Sequence, residues 1–157
     1  MTSTDTLRDT TGHRRPRVDR TLLVGVLTGC SVALTALTGL VVGWFAVAFQ
    51  IGGRADADDY AVAAGAYGAT TLALLLGAVA FRRWATTTWQ LPVTLVLAIV
   101  PGLLAVRAVA DATHAEPGIH MNGWWDGAGG VLACPWTWWL VAVGVRALVT
   151  GDRRVSE

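Results

Sequence analysis

A short polar stretch between two apolar regions holds the residues whose types suit chemistry best. His114, Glu116 and His120 lie close together in the sequence, and Pro117-Gly118 between them favours a turn. Imidazole nitrogens and carboxylate oxygens are ligands for zinc, copper and nickel. His114, Glu116 and His120 are therefore candidate metal ligands, and Asp111 offers a further carboxylate.

The same polar residues have a second interpretation that needs no metal. Two histidines six positions apart on a turn match no established metal-binding motif. A short loop at a membrane surface is polar in any case, because it contacts water. Both interpretations stay open from the sequence, and no other feature of it predicts a cofactor.

No constellation in the sequence predicts catalysis, so we predict that the chain is not an enzyme. A nucleophile and a base cannot be placed together, and nucleophile elbows, phosphate-binding glycine loops and zinc-protease helices are missing from the sequence. Cys30 and Cys134 fall at different depths of the predicted bundle, so we expect no disulfide between them.

Four apolar stretches must position these residues. The sequence is 54% hydrophobic and 15% charged, and a membrane-spanning helix needs about 20 mostly apolar residues. Lipid offers no water to backbone amides, so such stretches must be helices. We predict an all-α polytopic membrane protein, a four-transmembrane-helix bundle with short loops over residues 19–150. The spans lie at about 21–51, 61–81, 91–110 and 128–149.

The start of the fourth span has two solutions. The apolar stretch begins near Ala128, but Pro135 is a residue favoured in the first turn of a helix. Tryptophan is dense here, and indole rings prefer the membrane–water interface. The tryptophans of this region are Trp124, Trp125, Trp136, Trp138 and Trp139.

The arginines predict the orientation. All twelve basic residues are arginine. Ten of them precede the first span, separate the second from the third, or lie at the end of the fourth and beyond it, whereas only Arg54 and Arg107 lie near the other two connections. Positive charge stays in the cytoplasm, so we predict a multi-pass protein of the cell membrane with both termini cytoplasmic. Residues 1–18 form a disordered cytoplasmic tail and 151–157 a short one.

Hydroxyl residues line one face of the first span. At 100° per residue they share an arc of one helix face, with Gly39 and Gly43 beside them. Small and hydroxylated residues let membrane helices approach closely, so we expect packing against the small residues of the second span. A polar conduit or a self-association face is the alternative. The hydroxyl residues are Thr21, Thr28, Ser31, Thr35 and Thr38, and the small ones are Ala64, Gly65, Gly68 and Ala69.

Charges inside the spans are nearly absent. Arg107 and Asp111 are four positions apart, so they share a helix face and can pair. They lie about one turn from the end of the third span, where a long side chain reaches the headgroups. No Asp, Glu, His or Arg falls at mid-depth in any span, which disfavours proton-coupled transport.

These features favour a non-catalytic membrane component: a subunit, an assembly factor or a partner-binding bundle. Its expected partners are the lipid bilayer and a membrane protein or a second copy of the chain. The net charge of +1 disfavours nucleic acid. The alternative is an extracytoplasmic ligand or metal handler, a sensor or small-solute transporter, that uses the loop around Glu116.

Overall fold

The computed structural model describes residues 20–48, 54–84, 89–117 and 123–152. Over these ranges the chain is helical and contains no strand, which confirms the predicted all-α bundle. The predicted tail 1–18 lies outside the described residues, and of the tail 151–157 only the last two helical residues are described. The helices are α1 Arg20–Ala48, α2 Ala57–Trp84, α3 Gln90–His114, α4 Gly123–Leu132 and α5 Pro135–Asp152.

Three of the five helices are long and apolar enough to cross a membrane, judged by length and composition. These are α1, α2 and α3. The pair α4–α5 meets the same test only as a unit, and it is bent by 85°. The bundle therefore has three candidate membrane spans, or four if the bent pair is one broken span.

This bend is where the structure differs from the prediction, which was a continuous fourth span at 128–149. The α4 helix closes with a tight turn in which the amide of Cys134 donates to the carbonyl of Val131, at 3.2 Å. Pro135 follows, and proline both lacks an N–H and clashes with the carbonyl four residues before it. A single helix cannot run through this position with a regular hydrogen-bond ladder. The helix that begins at Pro135, which the sequence also allowed, is the one observed.

The α2 helix occupies the centre of the bundle and contacts each of the other four helices. Its composition explains this position, because alanine and glycine leave room for several neighbours to approach one backbone. Ala63 and Ala66 are fully buried, as is the larger Leu74. The outward faces of α1 and α3 instead carry large exposed apolar side chains, as expected for surfaces in contact with lipid.

The hydroxyl face of α1 is buried, which confirms that it packs within the molecule. Thr28, Ser31 and Thr35 are all buried. Their partners differ in part from the prediction, because α5 supplies hydroxyl and indole groups to this face. The α2 helix contacts α1 beside it, where a β-carbon at Gly39 would overlap the side chain of Thr70.

The small residues of α2 have a second neighbour that the sequence did not indicate. A β-carbon at Gly65 would overlap the carbonyl oxygen of Trp124 on α4. In the same way, a β-carbon at Gly127 would overlap the carbonyl oxygen of Val62. These two glycines bring the backbones of α2 and α4 together, so α4 lies alongside the first half of α2.

Candidate functional site

A cleft of about 670 Å³ lies where the connections before α2 and after α3 meet. We call it the connector cleft. Val47 and two alanines supply its apolar part, and most of its remaining lining is ionisable. The polar side chains that line it are those of Arg54, Asp56, Tyr60, Asp111, His114 and Glu116.

A capping box fixes one wall of the connector cleft. The Asp56 carboxylate accepts hydrogen bonds from the amides of Asp58 and Asp59, each at 3.0 Å. In return, the Asp59 carboxylate accepts from the amide of Asp56, also at 3.0 Å. All three bonds satisfy backbone donors that the start of a helix leaves unpaired. These bonds therefore fix the direction in which the chain enters α2, just before Tyr60.

A backbone hydrogen bond joins the two connections. The amide of Ala57, at the start of α2, donates to the carbonyl of Glu116 at 3.0 Å. This bond places the segment that follows α3 against the first turn of α2. Residues 54–60 and 111–116 thereby become opposite walls of one cleft.

Asp111 belongs to the cleft and also to an ion pair. Its carboxylate lies 3.7 Å from Nε of Arg107, with the i, i+4 spacing that the sequence predicts. Both side chains are largely exposed, so the pair contributes at most about 1 kcal/mol to stability. The main effect of the pair is that the positive charge of Arg107 offsets part of the negative charge at the edge of the connector cleft.

The ring of His114 is held in one orientation. Its Nδ1 lies 2.8 Å from the carbonyl oxygen of Ala110 and 3.0 Å from the hydroxyl of Thr113. A carbonyl oxygen only accepts, so the first contact requires a proton on Nδ1. The neutral imidazole then keeps its lone pair on Nε2, which is free to act as a ligand or an acceptor.

The connector cleft carries an excess of negative charge. Three carboxylates line it against the guanidinium of Arg54, and Arg107 offsets part of the charge of Asp111, so a net negative charge remains. Tyr60 adds an aromatic ring on the α2 side. Carboxylates beside an aromatic ring suit a positively charged group, through charge attraction and through contact with the ring face.

The structure brings together only part of the predicted metal site. His114 and Glu116 both line the connector cleft, whereas His120 lies outside the described residues. Across residues 20–48, 54–84, 89–117 and 123–152, no three His, Cys, Asp or Glu side chains are placed to hold one metal ion. The site formed by His114, Glu116 and His120 stays a prediction.

No protein-family model, curated protein or solved structure matches the chain. The candidate site is therefore supported by its own geometry.

The sequence did not indicate the residues contributed by the first connection. Arg54, Asp56 and Tyr60 lie in a short segment whose sequence predicts only a turn between two spans. The hydrogen bond from Ala57 to Glu116 makes them part of a cleft, and a contact between residues 59 positions apart leaves no local pattern in the sequence.

Proposed function

We propose that the protein is a non-catalytic component of a cell-membrane assembly, with both termini in the cytoplasm and the connector cleft on the outer side. The distribution of arginine supports this orientation, because ten of twelve lie up to the first residue of α1, in the last turn of α2, or in the last part of α5 and after it. The apolar helices support insertion in a membrane. On the outer side, the connector cleft is the surface available to a binding partner.

The connector cleft binds a positively charged segment of a partner membrane protein. The observation that carries this proposal is the acidic excess of a cleft built from two separate connections, Asp56 on one side and Asp111 and Glu116 on the other. Complementary charge steers association and sets the register of a contact. An arginine or lysine of the partner fits between the two walls.

The openness of the cleft favours a partner segment over a small molecule. A site for a small ligand usually buries 70–90% or more of its ligand. Arg54, His114 and Glu116 are exposed, so their polar groups face water. A single charge attraction at such a surface is weak. A partner that also contacts the helices can use this charge attraction for specificity, because its affinity comes mainly from the helix contacts.

Site-specific photocrosslinking tests this function. A benzophenone amino acid replaces Tyr60 inside the cleft, and Trp125, 77% exposed and not among the residues that line the cleft, is the matched control. Irradiation of native membranes should give a discrete adduct from position 60 that position 125 does not give. The adduct should weaken at high salt and in the double variant Asp111→Asn and Glu116→Gln. The same adduct from both positions, or one that ignores the loss of both charges, would contradict the proposal.

A second function at the same cleft is the handling of a metal or a small ligand. The observation that favours it is the contact between His114 Nδ1 and the carbonyl of Ala110, at 2.8 Å. Histidines that bind metal commonly donate their other ring N–H to such an acceptor. Nε2 of His114, Glu116 and the predicted ligand His120 are the groups that would act.

A further inference from the structure

A second cavity, of about 240 Å³, lies in the groove between α1 and α3, at the opposite end of the bundle from the connector cleft. Gly29 and Val32 of α1 form one wall, Leu97 of α3 forms part of the other, and Phe81 of α2 forms the floor. Gln90, the first residue of α3, lies at one end of the cavity. We call this feature the Gln90 groove.

One polar group of the Gln90 groove has no partner. The side-chain oxygen Oε1 of Gln90 is buried, and no donor lies within hydrogen-bond distance of it in the part of the chain that the structure describes. Thr94, which also lines the groove, donates its hydroxyl to the backbone carbonyl of Gln90 at 2.8 Å. A buried acceptor without a donor is unfavourable, and such a group calls for an explanation.

The position of Gln90 along α3 places it at the depth of lipid headgroups. The α3 helix has 25 residues, which extend about 37 Å at 1.5 Å per residue. This length exceeds a hydrocarbon core of about 30 Å. Gln90 is the first residue of the helix, and Trp89 before it is 60% exposed, as expected for an indole at the interface. The groove therefore runs from the headgroups into the hydrocarbon.

We propose that the Gln90 groove binds a phospholipid whose headgroup carries a hydrogen-bond donor. One acyl chain lies between Val32 and Leu97, above Phe81, and the headgroup donates to Gln90 Oε1. Rotation about the last side-chain bond of Gln90 exchanges its oxygen and its nitrogen, and torsions of this kind have broad preferences. The unpaired oxygen can thus turn toward the groove when a donor arrives.

The size of the groove favours an acyl chain over a helix. One turn of an α-helix with its side chains, about 10–12 Å across and 5.4 Å long, fills roughly 500 Å³. The cavity holds about half of that, so its size matches a narrow chain better than a whole helical turn. A separate cavity of about 370 Å³ lies further along the same helices, lined by Leu40 of α1, Leu104 of α3 and Tyr67 of α2. A narrow, flexible chain suits two small cavities in series.

Competition between two lipids tests the proposal. The full chain is incorporated in nanodiscs that contain equal amounts of phosphatidylethanolamine and phosphatidylcholine with identical acyl chains. These headgroups differ in the ammonium donors, which methylation removes from phosphatidylcholine. Native mass spectrometry should find phosphatidylethanolamine retained about fivefold over phosphatidylcholine, the ratio that corresponds to one net hydrogen bond of about 1 kcal/mol. Equal retention of the two lipids would overturn the proposal.

Two variants separate the headgroup contact from the chain contact. Gln90→Leu should remove the preference between the headgroups. Gly29→Leu should lower the retention of both lipids, because a β-carbon at Gly29 meets no atom within 4 Å and the new side chain can occupy the groove without a clash. Gly129→Leu, equally unobstructed but on α4, is the matched control and should retain lipid like the wild type.

The same spectra identify the other candidate occupant, a second copy of the chain. A dimer that Gly29→Leu dissociates while lipid retention stays at the wild-type level would overturn the lipid proposal in favour of self-association. Unchanged lipid retention in Gly29→Leu without any dimer would also overturn it.

Discussion

The side-chain hydroxyls of Thr35 and Thr137 lie 3.4 Å apart, although 102 residues separate them in the sequence. Both residues are fully buried. On either side, the indole N–H groups of Trp136 and Trp139 donate to the hydroxyls of Thr38 and Thr28, each at 3.3 Å. These contacts join α5 to α1 by polar groups that satisfy one another. The break at Pro135 therefore leaves α5 attached to the bundle.

The hydroxyl pair should show energetic coupling. Thr35→Val and Thr137→Val preserve the side-chain shape, so each should lower the free energy of unfolding by about 1 kcal/mol through loss of the hydrogen bond. The double variant should cost less than the sum of the two. A double-mutant cycle, measured by unfolding in mixed detergent micelles, checks this. Thr150→Val, at an exposed position of α5 where the hydroxyl donates to the carbonyl of Arg146 in the same helix at 2.8 Å, is the control for loss of a hydrogen bond within one helix. Strict additivity would show that the hydroxyls do not interact.

The contact between α2 and α4 should be sensitive to a single methyl group. Gly127→Ala sets a β-carbon against the carbonyl oxygen of Val62, a backbone atom that cannot rotate away. We expect a loss of about 1–3 kcal/mol, the usual cost of overpacking. Gly129→Ala, where a β-carbon meets no atom within 4 Å, should be neutral or stabilising because alanine favours the helix. Thermal unfolding in detergent compares the two, and equal melting temperatures would refute the close contact.

The first turn of α2 should depend on the Asp56 cap. Asp56→Ala removes the acceptor for the amides of Asp58 and Asp59 and should cost about 1 kcal/mol. Asp56→Asn retains an acceptor oxygen and should cost much less. Hydrogen exchange at the two amides measures the effect directly. Exchange that is equally fast in both variants would show that charge, and not the hydrogen bonds, maintains the turn.

The proposed orientation can be tested by cysteine labelling. In a background with Cys30 and Cys134 replaced by alanine, Glu116→Cys should react with a membrane-impermeant maleimide added to intact cells. Arg82→Cys, at the end of α2, should react only after the membrane is opened. The positive-inside rule gives both expectations. Labelling in the reverse pattern would invert the orientation and place the connector cleft on the cytoplasmic side.

The metal site can be tested by calorimetry on the purified protein. The partner-binding proposal predicts no saturable zinc or copper binding better than about millimolar, which corresponds to about 4 kcal/mol. Micromolar binding that is lost in His114→Ala with His120→Ala would instead establish the second function. That binding should release protons and weaken as the pH is lowered, because protons compete with the metal for its ligands.

The helical class and the approximate positions of α1, α2 and α3 could be predicted because the bilayer imposes them, although α2 and α3 extend beyond the predicted spans 61–81 and 91–110. Residues inside a membrane must be apolar and helical over about 20 positions, and this requirement is visible without any tertiary contact. The pairing of Arg107 with Asp111 was predictable for a similar reason, since i, i+4 spacing on a helix is local. Such features depend only on residues that lie within a few helical turns of one another.

The candidate site was less accessible to sequence reasoning. His114 and Glu116 stood out by residue type, but Arg54, Asp56 and Tyr60 did not. A cleft forms only when two connections meet, and the bond between Ala57 and Glu116 that joins them depends on how α2 and α3 pack.

The sequence by itself determined that α1 buries its hydroxyl face, because small and polar residues at helical spacing favour a helix contact. Only the tertiary structure decided that Thr35 meets Thr137 of α5, and that Gly65 of α2 meets α4. The physical reason is that a small-residue surface accepts any helix backbone that comes close. The bend at Pro135 separates α4, which lies along α2, from α5, which contacts both α1 and α2, and no local pattern encodes which of these surfaces pair.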